Sequence, residues 1–472
     1  MSSPINSRYA AMVKRLEVSI IKKSQLNDEL RFEAEFFRKR FLAEESALSK
    51  WETIGVGDFA DVTDGPHGYH VVDESSPIVM LTAKNAKDWF TDREDAEHIA
   101  KSVDDANKRS SLAVRDIILS TRGTLGLCAL VTPEVLPANI DQDVARISWK
   151  KKRSVLPEYV VAYLNSRYGQ DHIARQASGM VQQGLPLQKV RCIPVPLLPE
   201  TIQHLIADTV QAALMERRDA QARLVLAEQV LLGALGLEGW QAQEPLSYTR
   251  RASAVFADTR LDAAYFAPHV SDLLAHLGKD RATVGEVAPP RHEQFIRGSG
   301  PEFDYIEISG IQNYGTAIAK RLPEHEAPSR AKWYVRSGDI ITSTVRPIRR
   351  LSAVVTPEQD GFVCSSGFIV LRPKAISSEL LLTYLRLSPV CELMNLHTSA
   401  SMYPAISERD LLALPFPNVS ENTEKEIIQM VRRAHAARRV ASSHLERVER
   451  IVEITIERGE IAATNYFDKK SE

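Results

Sequence analysis

The sequence predicts an α/β (α+β) protein: two globular heads of mixed strands and helices, joined by two long antiparallel coiled-coil helices. Three observations predict it. First, the second half repeats the first at a constant offset of 221 residues, so that Glu158, Tyr163, Leu164, Pro194, Pro196, Ile206, Arg217, Arg218, Leu224 and Glu228 meet Glu379, Tyr384, Leu385, Pro415, Pro417, Ile427, Arg438, Arg439, Leu445 and Glu449. Second, each half runs from short apolar strand-like segments to a helix and then to a Pro-x-Pro exit. Third, each exit opens onto a long helix with the same apolar seam. A duplication with one kept part and one drifting part implies two related heads on a shared spacer.

Each half opens on an apolar and aromatic element, Arg31 to Phe37 in the first and Arg260 to Phe266 in the second, at an offset of 229 residues. Strand-like segments follow. Ile78-Val79-Met80-Leu81 stands against Tyr305-Ile306-Glu307-Ile308, and Asp116-Ile117-Ile118-Leu119-Ser120-Thr121 against Asp339-Ile340-Ile341-Thr342-Ser343-Thr344, the latter at offset 223. Ala129-Leu130-Val131 then matches Ala353-Val354-Val355 at 224. Packed elements tolerate few length changes, whereas loops against a variable partner change freely, so the drifting offset marks the recognition surface and the constant one the scaffold. A helix is expected from Pro157 to Leu164 and from Ser378 to Leu385. Beyond it, Cys192-Ile193-Pro194-Val195-Pro196 and Ala413-Leu414-Pro415-Phe416-Pro417 read as extended connectors, because proline continues neither a helix nor a central strand.

The clearest periodicity lies just past these exits. Ile206, Val210, Ala213, Arg217, Ala220, Leu224, Ala227 and Leu231 follow the 4-3 alternation of a coiled-coil seam, and Ile427, Val431, Ala434, Arg438, Ala441, Leu445, Val448 and Val452 repeat it. Arg217 and Arg438 interrupt both seams at one point, and the matched alanines favour close pairing. The other reading is a pair of amphipathic helices, each docked on its own domain. Roughly 35 residues at about 1.5 Å each make a rod about 50 Å long. Three glycines between Gly233 and Glu244 read as a turn and linker. The expected division is a first head over 1–198, a first helix over 199–235, a linker over 236–258, a second head over 259–418, a second helix over 419–460 and a tail over 461–472.

A chain of 472 residues is long enough for two modules with a core each. Hydrophobic content of 44% with 25% charged residues is that of a soluble protein. No run of about 18 apolar residues marks a membrane span, and the N-terminal segment has no charged-then-apolar leader, so the cytoplasm is the expected compartment. Cys128, Cys192, Cys364 and Cys391 are scattered and form no CxxC pair, which argues against zinc ribbons and disulfides and for reduced core thiols. A formal charge of −2 excludes a molecule basic all over. Local cationic runs remain, Lys150 to Arg153 in the first half and Arg346, Arg349 and Arg350 in the second; each is either a phosphate contact or a solvated face.

The common catalytic constellations are missing. There is no GxxxxGK[ST] loop, no HExxH pair, no glycine-rich strand-to-helix turn for a dinucleotide or S-adenosylmethionine, and no Asn- or Asp-Pro-Pro-Tyr stretch. His67 and His70 in Asp64-Gly65-Pro66-His67-Gly68-Tyr69-His70 have no acidic or cysteine partner at ligand spacing and read as a surface turn.

In its element order the chain resembles the specificity subunits of type I restriction–modification systems. The residues that carry the resemblance are the Asp64-Gly65-Pro66-His67-Gly68 turn, the stretch Asp116 to Thr121 followed by Arg122-Gly123-Thr124-Leu125-Gly126, the helix from Leu156 to Ser166, the loop Gln182-Gln183-Gly184-Leu185-Pro186-Leu187, and the Ile193-Pro194-Val195-Pro196 exit. In the second half Thr344-Val345-Arg346-Pro347-Ile348-Arg349-Arg350 replaces the Thr-Arg-Gly-Thr-Leu-Gly turn, and Ser399 to Pro404 replaces the Gln-Gln-Gly-Leu loop. The resemblance implies a DNA-binding subunit without catalysis of its own. Each head would be a target recognition domain reading one half of a split site on double-stranded DNA, with the paired helices fixing the gap. DNA methyltransferase (modification) subunits, two of them, would dock on the helix flanks and restriction or translocase subunits would join. The chain itself would bind no cofactor or metal; S-adenosylmethionine, ATP and Mg2+ would sit on the partners.

Base readout needs forked donors or amides, and phosphate positioning needs cations or hydroxyls. The candidates are Thr121, Arg122 and Thr124 with Thr344, Arg346, Arg349 and Arg350; Lys150, Lys151 and Lys152 as phosphate contacts; Gln182 and Gln183 as adenine readers; and His67. A structural salt bridge is the other reading for the arginines, and a fold-locking loop for the glutamines. The helix interface is expected at Ile206, Val210, Ala213, Arg217, Leu224 and Leu231, with Ile427, Val431, Ala434, Arg438, Leu445 and Val452. Rival functions are a recognition subunit of a methylation-only or type IIB-like assembly, a coiled-coil scaffold that binds only proteins, and a nuclease with dispersed carboxylates.

Overall fold

The apolar runs of each half pair into two small sheets with a core on either side. The computed structural model describes residues 17, 19–22, 33–149, 155–177, 184–241, 245–257, 261–278, 282–298, 300–399 and 404–469. It divides into two units, residues 1–215 with 440–472 and residues 216–439, and both are mixed α/β.

In unit 1 a turn at Ala34–Phe37 sets the Phe36 and Phe37 rings edge to face at 5.0 Å and leads into α1 (Lys39–Leu48). The strands are β1 (Thr53–Gly55), β2 (Ala60–Asp64), β3 (Val79–Leu81), β4 (Glu97–His98), β5 (Ile117–Ser120), β6 (Cys128–Leu130), β7 (Ala138–Ile140), β8 (Val144–Trp149) and β9 (Pro194–Pro196). One sheet has the order β2-β8-β5-β6, a second the order β4-β3-β7, and β1 pairs with β9. The prolines of the exit are accommodated because β9 has a single antiparallel partner, with Thr53 opposite Pro196. Strand β5 is apolar at consecutive positions for a physical reason: Ile117 and Leu119 enter one core and Ile118 the other. Helices α2 (Pro157–Asn165) and α3 (Arg167–Gln176) follow, broken at the extended Ser166. Long helix α4 (Glu200–Ala234) starts here.

Unit 2 holds β10 (Glu302–Ile306), β11 (Lys320–Pro323), β12 (Ala331–Tyr334), β13 (Ile340–Ser343), β14 (Ser352–Val354), β15 (Val363–Ser365) and β16 (Phe368–Leu371), in the orders β11-β10-β15-β12 and β14-β13-β16. Its helices include α5 (Pro268–Leu277), α6 (Ser378–Arg386) and α7 (Ser388–Leu396). The pairing of unit 1 recurs. The parallel pair β3/β7 is matched by β10/β15, the antiparallel pair β5/β6 by β13/β14, and β5/β8 by β13/β16. Strand β13 again lies between two cores, with Ile340 in one and Ile341 in the other.

Helix α4 ends in a left-handed Gly236, where the Leu237 N–H returns to Leu232 O at 2.8 Å. Helices α8 (Glu421–Arg458) and α9 (Glu460–Lys469) close the described chain. Both α4 and α8 contribute to each unit. In unit 1, Ile206, Val210 and Ala213 share a core with Ala441, Leu445, Val448 and Val452. In unit 2, Ala220, Ala434 and Ala437 cluster beside Leu224, and Ala227 and Leu231 share a core with Ile427 and Val431. The seams thus meet in antiparallel order.

One expectation is corrected. Cys128, Cys364 and Cys391 are buried free thiols, but Cys192 is exposed, because the short helix Leu187–Arg191 ends on it and leaves its side chain outside the core.

Candidate nucleic-acid interface

Strands β5 and β13 end in equivalent turns, and the same backbone bonds hold both. In unit 1 the Thr121 N–H and hydroxyl donate to Asp143 O at 2.8 and 3.0 Å, the Leu185 N–H donates to Thr121 O at 2.9 Å, and Arg122 bridges Gly184. In unit 2 the Thr344 N–H and hydroxyl donate to Gly367 O at 2.9 and 3.0 Å, the Ile406 N–H donates to Thr344 O at 2.9 Å, and Val345 bridges Ala405. Both threonines therefore serve the backbone first. Their hydroxyls fix the turn.

The side chains presented differ. Arg122 is exposed and meets the Asp143 carboxylate at 3.2 Å, while Thr124 is exposed with its carbonyl accepting from the Ser120 hydroxyl at 2.5 Å. Nearby, Gly65 donates to Asp141 O at 3.2 Å and lies so close to Ile140 O that a β-carbon would stand 1.7 Å from it, so only glycine lets the 64–68 turn close. Asp64 receives His67 Nε2 at 3.1 Å and Arg109 Nη2 at 3.2 Å. This corrects the expectation that His67 lacks an acidic partner: Asp64 lies at the end of β2, and the turn folds the ring back onto it. Burial pushes the Asp141 carboxyl up to about 6, opposed first by the Asp143 N–H that donates to it at 3.0 Å; the Asp143 carboxylate adds to the rise, and His70 and Arg122 oppose it. Sequence reasoning missed Arg109, Asp141 and Asp143, which come from two segments distant from the 64–68 turn and carry no local signal.

In unit 2, Arg346 and Arg349 are exposed and Pro347 between them is buried. Arg350 points the other way: its Nε donates to Arg386 O at 2.5 Å and its Nη2 to Glu228 on α4, while Arg386 Nη1 returns to Arg350 O at 2.7 Å. Residues Lys150, Lys151, Lys152, Gln182 and Gln183 lie outside the described residues.

Of the helix candidates, Ile206, Val210, Ala213, Leu231, Ile427, Val431, Ala434, Leu445 and Val452 are buried, and Leu224 is packed against the unit 2 core. Arg217 and Arg438 are half-buried. The Arg438 guanidinium lies 3.7 Å from the centroid of the Tyr314 ring, whose backbone carbonyl sits 3.0 Å from His435 Nε2. A guanidinium on an aromatic face is one way of keeping a charge on the seam. Among the described residues no group of three or more His, Cys, Asp or Glu side chains is placed to hold a metal, and no helix is long and apolar enough to cross a membrane.

No protein-family model and no curated protein matches the chain. Among solved structures it is similar to the type I restriction–modification system S subunit from M. genitalium, at 13% identity over 86% of this chain and 95% of that one, with a TM-score of 0.37. A chain from a structure titled for the assembly and conformational transition of the type I R-M system matches at 16% identity over 87% and 98%, with a TM-score of 0.28. The HsdS subunit from Thermoanaerobacter tengcongensis matches at 16% identity over 87% and 97%, with a TM-score of 0.27.

Proposed function

We propose that the chain is the DNA-specificity subunit of a type I restriction–modification complex, each unit reading one half of a bipartite site and the two long helices setting the gap. One observation carries the reading: the same threonine-anchored frame, Thr121 on Asp143 O and Leu185 in one unit and Thr344 on Gly367 O and Ile406 in the other, offers different exposed cations, Arg122 in the first and Arg346 with Arg349 in the second. A repeated frame with exchanged polar tips suits two readers of two different half-sites. The length of α4 supports the spacer role, since a helix of 35 residues is about 50 Å long and crosses several base pairs at roughly 3.4 Å each. The chain supplies recognition; methyltransferase subunits docked on the helices supply S-adenosylmethionine chemistry, and restriction subunits, where present, supply ATP- and Mg2+-dependent cleavage. A methylation-only or type IIB-like assembly would use the chain in the same way.

Methylome sequencing of the host with and without this chain tests the proposal. A bipartite methylated motif that disappears with the chain is expected. A chain-dependent motif that is short and continuous contradicts the spacer, and DNA affinity of the intact complex that does not fall with salt favours a protein-only scaffold.

A further inference from the structure

Strand β2 is the outer strand of its sheet, and a groove of about 580 Å3 runs along it. Three guanidinium groups from separate segments line that groove, those of Arg109, Arg146 and Arg191, beside Thr63, Ser148 and the Asp61 carboxylate. Like charges gathered on a concave surface repel one another and focus a positive field into it, a cost that a bound anion offsets. The repeat shows which of the three the fold itself needs.

Arg146 belongs to the frame. Its Nε donates to Asp116 at 2.7 Å, and in unit 2, where Val370 faces Ile341 as Arg146 faces Ile118, Arg291 supplies the same bond from beside Val370, its Nε meeting Asp339 at 2.7 Å. The charge of Arg191 has no such counterpart. Arg191 ends the short helix Leu187–Arg191, and its stem packs so close to Gly57 that a β-carbon there would stand 3.0 Å from Arg191 Cβ. Unit 2 repeats that contact with a leucine: a β-carbon on Gly285 would stand 3.1 Å from Leu412 Cβ, and Leu412 follows Arg191 at the 221-residue offset. The packing therefore needs an aliphatic stem and not a charge. The Arg191 guanidinium donates to a neutral acceptor, Val62 O at 2.8 Å, and pairs with no carboxylate among the described residues. Arg109 joins the groove to the 64–68 turn: its carbonyl accepts from the Thr63 hydroxyl at 3.0 Å and from Arg146 Nη1 at 2.9 Å, and its guanidinium, 63% exposed, meets Asp64 at 3.2 Å.

We infer that this groove of unit 1 binds the phosphodiester backbone of double-stranded DNA, with Arg191 and Arg109 neutralising phosphates and Arg146 serving the frame. The inference rests on the DNA-specificity reading and adds to it a sequence-independent contact that unit 2, with Leu412, does not share at that position. Base edges are recessed in the grooves of a duplex and are reached by side chains that project; a concave surface receives what protrudes from the duplex, which is phosphate. The guanidinium of Arg191 keeps N–H donors to spare beyond the one given to Val62 O, and phosphate oxygens accept such donors in parallel.

The test measures DNA affinity against salt for the complex of the full chain with its methyltransferase subunits, in the wild type, Arg191→Leu, Arg191→Lys and Arg109→Gln, on a duplex bearing the methylated motif of the host and on one without it. Arg191→Leu places the unit 2 residue in unit 1, so the purified chain melts with the wild type. Its slope of log affinity against log salt is expected to be shallower by about 0.9, the share of a single phosphate, and its affinity near 0.15 M salt lower by about fivefold on both duplexes. Arg109→Gln flattens the slope by a similar amount, Arg191→Lys keeps it, and methylome sequencing finds every base of the motif retained. An unchanged slope in Arg191→Leu or in Arg109→Gln overturns the inference. So does a slope lowered as much by lysine as by leucine, which traces the loss to the fold, and so does relaxation of a base of the motif, which marks a base contact. Weaker assembly with the methyltransferase subunits at an unchanged slope assigns the groove to a protein and overturns it as well. A wild-type complex whose affinity does not fall with salt overturns the parent reading instead.

Discussion

Glu158 and Glu379 are the same residue of the repeat, yet their surroundings give them different costs of removal. The Glu158 side chain is 2% exposed and accepts three bonds, from Arg115 Nε at 2.9 Å, Arg115 Nη2 at 2.6 Å and Gln211 Nε2 at 2.8 Å. It joins the β5 loop, α2 and α4. Glu379 accepts one cationic bond, from Arg432 Nε at 2.6 Å, and that arginine is 68% exposed. Deleting one partner of a buried pair costs about 3–5 kcal/mol. Because Arg115 is itself 37% exposed and regains water, Glu158→Gln is expected nearer about 2–3 kcal/mol. Glu379→Gln loses a solvent-screened pair and should cost no more than about 1 kcal/mol. For a unit of this size roughly 2–4 °C accompany each kcal/mol, so calorimetry should show Glu158→Gln melting about 4–12 °C lower and Glu379→Gln within about 4 °C of wild type. Hydrogen exchange of the α2 and α6 amides reads the two units separately. Equal losses at the two positions would refute the claim that burial, rather than place in the repeat, sets the cost.

Three further outcomes follow from the same geometry. Tyr159 donates its hydroxyl to Pro196 O at 2.5 Å whereas the buried Tyr163 hydroxyl has no hydrogen-bond partner, so Tyr159→Phe should cost about 1–2 kcal/mol in urea unfolding and Tyr163→Phe nothing or less than nothing; the reverse order would mean that the tyrosines exchange roles in solution. Burial pushes the Glu44 carboxyl from its ordinary 4.5 up to about 8, helped by the neighbouring Asp171 and opposed by Arg167 and Arg40. Below pH 4.5 folded and unfolded chains both hold that proton; between 4.5 and 8 only the folded chain does, so stability falls as pH rises through this window. Glu44→Gln should flatten the melting temperature there and raise it at pH 8, and an unchanged slope would place the effect elsewhere. Ala434, fully buried beside Ala220 and Ala437, leaves no room for a larger side chain: Ala434→Leu should cost about 1–3 kcal/mol in unit 2 by denaturant titration, whereas a neutral result would mean that the helices separate there.

What could be read from the sequence was whatever repeats at a fixed spacing. The β5 and β13 strands show as consecutive apolar residues because each is sandwiched between two cores, and the α4 and α8 seams show because a packed helix face must recur every three or four residues. Bonds between distant segments left no such trace. Nothing near His67 announces Arg109, and nothing in Thr344 to Arg350 separates the outward Arg346 and Arg349 from the inward Arg350, since Glu228 lies over a hundred residues away. Even an exact sequence match misassigns a bond: Tyr384 repeats Tyr163, yet the hydroxyl that reaches the exit prolines in unit 1 belongs to Tyr159, one helical turn earlier.

The constancy of the 221-residue offset from Glu158 onward, against its drift before, has a mechanical cause. Glu158 bonds Gln211 and Glu379 bonds Arg432, the same step of the repeat in each unit, so helix, exit and long helix are cross-linked to one another. Inserting one residue within the long helix rotates everything after it by about 100° and turns the seam away from its partner. The strand-end turn is under no such constraint. Unit 2 carries one residue more than unit 1 between the paired strands, and both turns still close through left-handed positions at the same distances from their ladders. The mechanics of the helices thus leave the turns free to vary, and there the exposed Arg346 and the inward Arg350 stand in place of Gly123 and Gly126.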